Sequence, residues 1–130
     1  MVAQCSHIVM VIDDDRDVSG AIVEALQDAA YTPIAATNGR EALDKLRMLE
    51  EMPCVLLLDL MMPEMDGWSF RQEQLDDPSL RSIPVVVLTA HGGPNDPPVR
   101  DVEAADMLRK PVGLQTLLQK VEQYCGKVDD

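Results

Sequence analysis

Five polar residues in this chain stand at or just after the ends of short apolar runs, and their types suit the chemistry of phosphoryl groups. They are three carboxylates, one hydroxyl and one ammonium: Asp13, Asp14, Asp59, Thr89 and Lys110. Carboxylates held close together repel one another unless a cation joins them, and carboxylate oxygens are ligands that Mg²⁺ accepts. A magnesium ion, a lysine and a hydroxyl around one carboxylate would stabilise phosphoryl oxygens while that carboxylate attacks phosphorus.

The apolar pattern of the chain predicts a sheet that would bring these residues together. Short apolar and β-branched runs predict strands over residues 7–12, 31–36, 55–58, 83–89 and 107–109. Helical spacing of apolar residues predicts helices over 16–30, 39–49, 68–76 and 114–125, together with a short helix over 99–105. Strands and helices that alternate with short connections indicate an α/β fold, in which a parallel sheet carries helices on both faces. The carboxyl ends of the strands, and with them the five polar residues, would then lie at one edge of the sheet.

The composition restricts the class of protein and its partners. At 130 residues the chain suits a single domain over residues 1–130, and its net charge of −12 makes nucleic acid and anionic membranes poor partners. No apolar run approaches the length that spans a membrane and no signal-peptide pattern opens the chain, so the expected location is the cytoplasm. The cysteines Cys5, Cys54 and Cys125 are odd in number and far apart, which predicts reduced thiols and no zinc site.

Four separated motifs carry a resemblance to a known family. In chain order they are I-D-D-D after the first strand, L-L-L-D-L-M-M-P-E-M-D-G at the third, V-V-V-L-T-A at the fourth and L-R-K-P at the fifth. With these motifs in this order, the chain resembles the CheY-like receiver domain of the response regulators of two-component signalling. The resemblance implies a flavodoxin-like, doubly wound sheet of five parallel strands in the order 2-1-3-4-5. Because only residues 126–130 follow the last predicted helix, we expect a stand-alone receiver, or one domain cut from a longer chain.

The resemblance implies a role for each polar residue at the predicted edge. Asp59 matches the phosphoacceptor, and Asp13 and Asp14 match the acidic pair of a magnesium site. Thr89 matches the hydroxyl that bonds the phosphoryl group, and Lys110 matches the lysine that pairs with it.

The resemblance also implies how the cofactor Mg²⁺ would be held and how the phosphate would be lost. Asp14 and Asp59 would ligate Mg²⁺ directly with the main-chain carbonyl of Met61, while Asp13 would act mainly through water. Met61 and His91 occupy the positions that tune dephosphorylation in the family. Since apolar Met61 should position water poorly, the resemblance predicts slow hydrolysis.

A receiver of this kind takes its phosphoryl group from a histidine kinase or a phosphotransfer protein and signals to a downstream protein by contact. Self-association after phosphorylation is a further expectation, and no enzymatic activity is expected beyond the self-catalysed phosphotransfer and dephosphorylation at Asp59. Two features depart from the family pattern. Met107 stands where an aromatic residue usually acts as a switch with Thr89. The glycine- and proline-rich residues 92–98 replace the start of the family's fourth helix, which predicts a shortened or irregular helix four.

Other interpretations of the same residues stay open. Met107 and the proline-rich segment favour a receiver-like interaction module that signals without phosphate. A Mg²⁺-dependent phosphohydrolase with Asp59 as nucleophile would generally need a second acid where Met61 stands. A calcium-binding loop over 13–24 is disfavoured because Val18 replaces the glycine that such a loop needs for its turn. The acidic residues, Thr89 and Lys110 could also be ordinary solvated or strand-end positions.

Overall fold

Five parallel strands form one sheet, and its order confirms the predicted flavodoxin-like, doubly wound fold. The structure is a computed structural model that describes residues 7–59, 67–89, 104–109 and 113–126. The strands are β1 (Ile8–Ile12), β2 (Thr32–Ala36), β3 (Val55–Asp59), β4 (Val85–Thr89) and β5 (Asp106–Arg109). They lie in the order β2-β1-β3-β4-β5, and every neighbouring pair is parallel.

The helices within the described residues begin within one residue of their predicted starts. They are α1 (Arg16–Asp28), α2 (Gly39–Met48), α3 (Gly67–Asp76) and α4 (Leu114–Cys125). Asp15 caps α1, and its carboxylate accepts the Asp17 and Val18 N–H groups at 3.0 and 3.2 Å. Asn38 caps α2, and its side-chain oxygen accepts the Glu41 N–H at 2.8 Å.

Several predicted elements change by one or two residues at their boundaries, and two of these changes follow from identified hydrogen bonds. β4 begins at Val85 rather than at residue 83 because Pro84 lacks an N–H, and the Ile83 N–H closes a turn onto the Leu80 carbonyl at 3.1 Å. The short helix predicted over 99–105 lies outside the described residues apart from its last two. For residues 104 and 105 the prediction of a helix is wrong, because the Ala105 N–H already donates to the Val85 carbonyl at 2.9 Å as the chain joins the sheet.

Each face of the sheet packs against its own pair of helices. One face, together with α2 and α3, buries Met10, Ile12, Leu56, Leu58, Val85, Val87, Leu43, Leu46 and Phe70. The opposite face, together with α1 and α4, buries Val9, Val11, Val55, Leu57, Val86, Leu88, Ile22, Leu26, Leu117 and Val121. Because the central strands are covered on both sides, their sequences are continuous apolar runs that end in a polar residue.

β2 lies at one edge of the sheet, where the sequence places a proline. The Thr32 N–H points inward and donates to the His7 carbonyl at 2.9 Å. Successive residues of a strand point in opposite directions, so the nitrogen of Pro33 faces away from β1 and the proline removes no hydrogen bond from the sheet. The Ala35 carbonyl faces the same way and accepts a hydrogen bond from Lys45 Nζ at 2.6 Å.

The prediction of reduced thiols is wrong for two of the three cysteines. A disulfide joins Cys54, just before β3, to Cys125, the last residue of α4. The two residues are 71 positions apart in the chain, but the fold brings their Cα atoms to 5.3 Å, which is within the range that a disulfide spans. Cys5 lies outside the described residues.

Candidate functional site

Three carboxylates meet at the carboxyl edge of the sheet. The register pairs Ile12 with Leu58, so Asp13 and Asp59, which follow them, leave neighbouring strands at the same level. Oxygen atoms of Asp13, Asp14 and Asp59 all lie within 4.8 Å of one another. Asp13 is fully buried, Asp59 is 6% exposed and Asp14 is exposed. Among the described residues, the exposed Asp14 therefore forms the side of the cluster that faces solvent.

The β1–α1 loop fixes the shape of this acidic cluster. The Asp13 N–H donates to the Ala36 carbonyl of the edge strand at 3.0 Å, and Asp13 Oδ1 accepts the Asp15 N–H at 2.9 Å. Asp15 itself turns away to cap α1. The cluster thus lies beside the first turn of a helix, whose partial positive charge favours anions.

The donor set of the cluster fits a hard metal ion. All three groups are carboxylates, which suit oxygen-preferring cations, and no histidine or cysteine of the described residues belongs to the cluster. Three negative charges this close are costly to hold without a cation. The acidic cluster could therefore hold a divalent metal ion.

Thr89 ends the neighbouring strand at the same edge. Asp59 pairs with Leu88 in the register, so Thr89 lies one residue beyond the level of Asp59 on β4, and it is 4% exposed. Met107, the candidate switch residue, pairs with Val87. It is half-buried and packs against the core on the α2 and α3 face. Since Val87 is two residues before Thr89, Met107 and Thr89 belong to the same face of adjacent strands.

The other predicted site residues lie outside the described residues. They are Met61, His91 and Lys110. Lys110 directly follows Arg109, the last residue of β5, which pairs with Thr89 in the register.

An ion pair on the other side of β5 fixes α4 to the sheet. Lys120 Nζ lies 2.6 Å from Asp106 Oδ2, and both side chains are partly exposed. Partial burial raises the pKa of the Asp106 carboxyl, but the hydrogen bonds from Lys120 and from the Met107 N–H outweigh burial and hold that pKa below its ordinary value. The hydrogen bond to Asp106 in turn raises the pKa of Lys120. Burial, followed by the charge of Asp106, raises the pKa of Tyr124 on the next turn of α4.

Comparisons with known proteins agree with the fold. The family model described as the response regulator receiver domain matches residues 9–122. The chain belongs to this family. Receiver domains act in two-component signalling, where they interact with histidine kinases and with downstream targets, and the family suggests no conventional enzyme role.

Individual relatives of this receiver span nearly its whole length. The polar-differentiation response regulator DivK of Brucella anthropi is 29% identical over 91% of this chain and 95% of its own length. The response regulator PleD of Caulobacter vibrioides is 35% identical over 86% of this chain, which corresponds to 25% of PleD. The solved structure of the chemotaxis protein CheY4 of Vibrio cholerae aligns with a TM-score of 0.81 at 28% identity, covering 94% of this receiver and 99% of CheY4.

The sequence reasoning missed two features of the receiver. One is the ion pair of Asp106 with Lys120, which joins β5 to α4. The other is the disulfide, for which a signal was present. In a parallel α/β fold, strands begin and helices end at the same edge, which places Cys54 before β3 and Cys125 at the end of α4 at one edge of the sheet without fixing the distance between them.

Proposed function

We propose that this receiver accepts a phosphoryl group on Asp59 from a phosphohistidine of a histidine kinase or phosphotransfer protein, and then signals through contact with a downstream protein. The observation that carries the proposal is the acidic cluster, with its three carboxylates within 4.8 Å of one another at the carboxyl edge of the sheet. Membership of the receiver family supports the same function.

In the proposed reaction an oxygen of the Asp59 carboxylate attacks phosphorus in line. The new O–P bond forms as the P–N bond to the donor histidine breaks, and the imidazole leaves with the electron pair. The burial of Asp59 at the end of β3 supports this role, because β3 is paired on both sides and gives the carboxylate a fixed position. Thr89, at the end of β4, would bond a phosphoryl oxygen, and Lys110 would pair with the charge of the product.

Asp13, Asp14 and Asp59 are the residues of the described chain that would hold Mg²⁺, with the main-chain carbonyl of Met61 as a further ligand. When bound, the ion would neutralise the charge on the phosphoryl oxygens. The part-buried hydrogen bond from the Asp15 N–H orients the Asp13 carboxylate toward this role.

In the proposed response to phosphorylation, a movement of the Thr89 side chain changes the conformation of Met107. The two residues lie on the same face of adjacent strands, and Met107 is half-buried against the core there. A hydroxyl drawn toward the phosphoryl group would leave space that a flexible methionine side chain can fill by a change of rotamer. Methionine would thereby replace the aromatic switch residue of the family.

Incubation with acetyl phosphate and Mg²⁺, followed by intact mass measurement, tests the proposed function. The wild-type protein should gain the mass of one phosphoryl group, and chelation of Mg²⁺ should prevent the gain. Asp59→Asn should abolish it. Asp44→Asn removes an exposed carboxylate on α2 and is the matched control, which should be phosphorylated like the wild type.

A second measurement separates metal binding from phosphorylation. The single tryptophan, Trp68, lies on α3 and packs against the core, so its fluorescence can be followed during a Mg²⁺ titration. Absence of a phosphoryl gain despite a saturable response to Mg²⁺ that Asp59→Asn removes would contradict the phosphoacceptor role. Such a result would favour the interaction module that signals without phosphate.

A further inference from the structure

The C-terminal end of α4 is attached to the amino edge of the sheet, opposite the acidic cluster. The disulfide links Cys125, at the end of the helix, to Cys54, which immediately precedes β3. The Tyr31 hydroxyl donates to the Gly126 carbonyl at 2.8 Å. Leu117, Val121 and Cys125 lie on the buried stripe of α4. A covalent bond and a hydrogen bond thus hold the same end of the helix, and apolar packing holds the helix along its length.

We propose that Cys54 and Cys125 form a reversible thiol–disulfide site, which reacts with dithiol reductants and controls how firmly the last turn of α4 is held. The two cysteine residues differ in exposure, since Cys54 is partly exposed and Cys125 is only 3% exposed. Cys54 is therefore the sulphur that a thiolate from solution would attack.

The fold accommodates the reduced form of the pair as well as the bonded form. The sulphur of Cys54 lies 3.3 Å from the Ile8 carbonyl oxygen, so a Cys54 thiol can donate its S–H to that oxygen. The Cys54 N–H already donates to the same oxygen at 2.9 Å, which anchors Cys54 to the start of β1 in either state. A reduced Cys125 would remain in an apolar environment, where free thiols are common. Opening the bond therefore does not require the domain to unfold.

The reaction balances with a dithiol as the reductant. A thiolate of the dithiol attacks Cys54 Sγ, the S–S bond breaks, and the electron pair goes to the sulphur of Cys125, which takes up a proton. The second thiolate of the dithiol then attacks its partner sulphur in the mixed disulfide. Cys54 leaves as a thiol after taking up a proton, and the dithiol ends as a disulfide. An oxidised disulfide compound such as oxidised glutathione reverses both steps.

Reduction would act on α4 and leave the acidic cluster unchanged. Cys54 and Asp59 lie at opposite ends of β3, a strand paired on both sides. With the bond open, the end of α4 keeps the hydrogen bond from Tyr31 and its apolar stripe, and its last turn should open more often. This site does not depend on phosphorylation of Asp59.

Alkylation after equilibration in glutathione buffers tests whether the site is reversible. The folded protein is equilibrated at a series of ratios of reduced to oxidised glutathione, quenched with acid and alkylated with a maleimide for mass measurement. Of the three cysteines, the wild type should go from one alkylated residue to three as the buffer becomes more reducing. Cys5→Ser is the matched control and should go from none to two, while Cys54→Ser and Cys125→Ser should show two throughout.

Two outcomes of that series would overturn the proposal. A bond that stays closed in the most reducing buffer and opens only after unfolding would be a permanent crosslink. Three alkylated cysteines in the most oxidising buffer would show that the bond does not form.

Amide exchange tests the effect on the helix. Residues 121–126 should exchange several-fold faster in the reduced protein, while the response of Trp68 to Mg²⁺ should be the same in both states. Equal exchange in the two states would refute control of α4. If Asp59 is not phosphorylated in either redox state, that result contradicts the proposed function and leaves the thiol–disulfide proposal standing.

Discussion

Replacement of Asp59 by asparagine should stabilise the metal-free protein. Asparagine has nearly the shape of aspartate, so the substitution removes one charge from the acidic cluster with little change in packing. Asp59 is 6% exposed and Asp13 is fully buried, so water screens the repulsion between them poorly. The substitution therefore tests whether the cluster stores electrostatic repulsion that a cation relieves.

The size of the expected stabilisation follows from the distances between the carboxylate oxygens of the acidic cluster. Two unit charges at the 4.8 Å limit repel by about 3.5 kcal/mol at an effective dielectric constant of ~20. The favourable contacts of the Asp59 carboxylate offset part of this repulsion, because hydrogen bonds to a charged group contribute about 1.5–3 kcal/mol each. We expect a net gain of about 1 to 2 kcal/mol in the free energy of unfolding. At ~2.1 cal/mol/K per residue over 130 residues, this gain raises Tm by about 4 to 7 °C.

Magnesium should reverse the order of the melting temperatures of the wild type and Asp59→Asn. At a free Mg²⁺ concentration of about 100 Kd, binding stabilises the wild type by about 2.7 kcal/mol, which corresponds to a rise in Tm of about 10 °C. Asp59→Asn loses a ligand and should show little of this rise. The variant should therefore melt above the wild type in EDTA and below it in saturating Mg²⁺.

Thermal unfolding followed by circular dichroism at low ionic strength measures both conditions. Asp44→Asn makes the same change in net charge at an exposed position of α2, and its stability should stay within about 0.5 kcal/mol of the wild type. The reasoning is refuted if Asp59→Asn melts below the wild type in EDTA. Equal Mg²⁺ shifts in the two proteins would place the ion elsewhere.

Three further predictions concern stability away from the cluster. In the chain-entropy account, a disulfide that closes a loop of 71 residues stabilises the fold by about 4 kcal/mol. The double variant Cys54→Ser/Cys125→Ser should therefore lose up to that amount of its free energy of unfolding in urea, and reduction of the wild type should cause the same loss. The hydrogen bond from Lys120 lowers the pKa of Asp106 in the folded protein. The ionised Asp106 carboxylate therefore stabilises the fold above its ordinary pKa of 3.8, and this stabilisation is lost as the pH falls through the lower pKa of the folded state. Urea midpoints should therefore fall less steeply below pH ~4 for Asp106→Asn than for the wild type, and an identical slope would contradict this account. Buried Gln74 donates to two main-chain carbonyls of the loop before β4 at 2.9 and 3.0 Å. Gln74→Met should cost about 2 kcal/mol, because the Ile83 carbonyl loses the Gln74 donor while the Leu80 carbonyl keeps the Ile83 N–H. A free energy of unfolding within about 0.5 kcal/mol of the wild type, as for an exposed substitution, would show that the loop rearranges.

The central strands and the acidic cluster could be predicted from the sequence because a single physical pattern encodes both. A strand buried on both faces must be apolar along its length, so Val55–Asp59 stands out as a run that ends in a carboxylate. The parallel order then places Asp13 beside Asp59 with no knowledge of their distance. Thr89 follows by the same reasoning.

Features that depend on contacts between distant segments could not be predicted in this way. Sequence spacing gave no reason to join Cys54 to Cys125, because the proximity arises from the course of the chain through the whole sheet. Gln74 belongs to a helix that looks polar and solvated in sequence, yet it is fully buried where the α3–β4 loop closes over it. The boundary at Pro84 depended on a hydrogen bond of the preceding turn.

The open edge at β2 has a consequence for how copies of this protein behave toward one another. An exposed strand with free donors and acceptors can recruit a further strand, which leads to filaments and aggregates. On this edge, an incoming chain would meet the ring of Pro33 where it needs an amide donor. Two residues further on, it would have to displace the Lys45 ammonium from the Ala35 carbonyl. The edge at β2 is thus a poor template for growth of the sheet, so a second copy of the chain would not readily add a strand there.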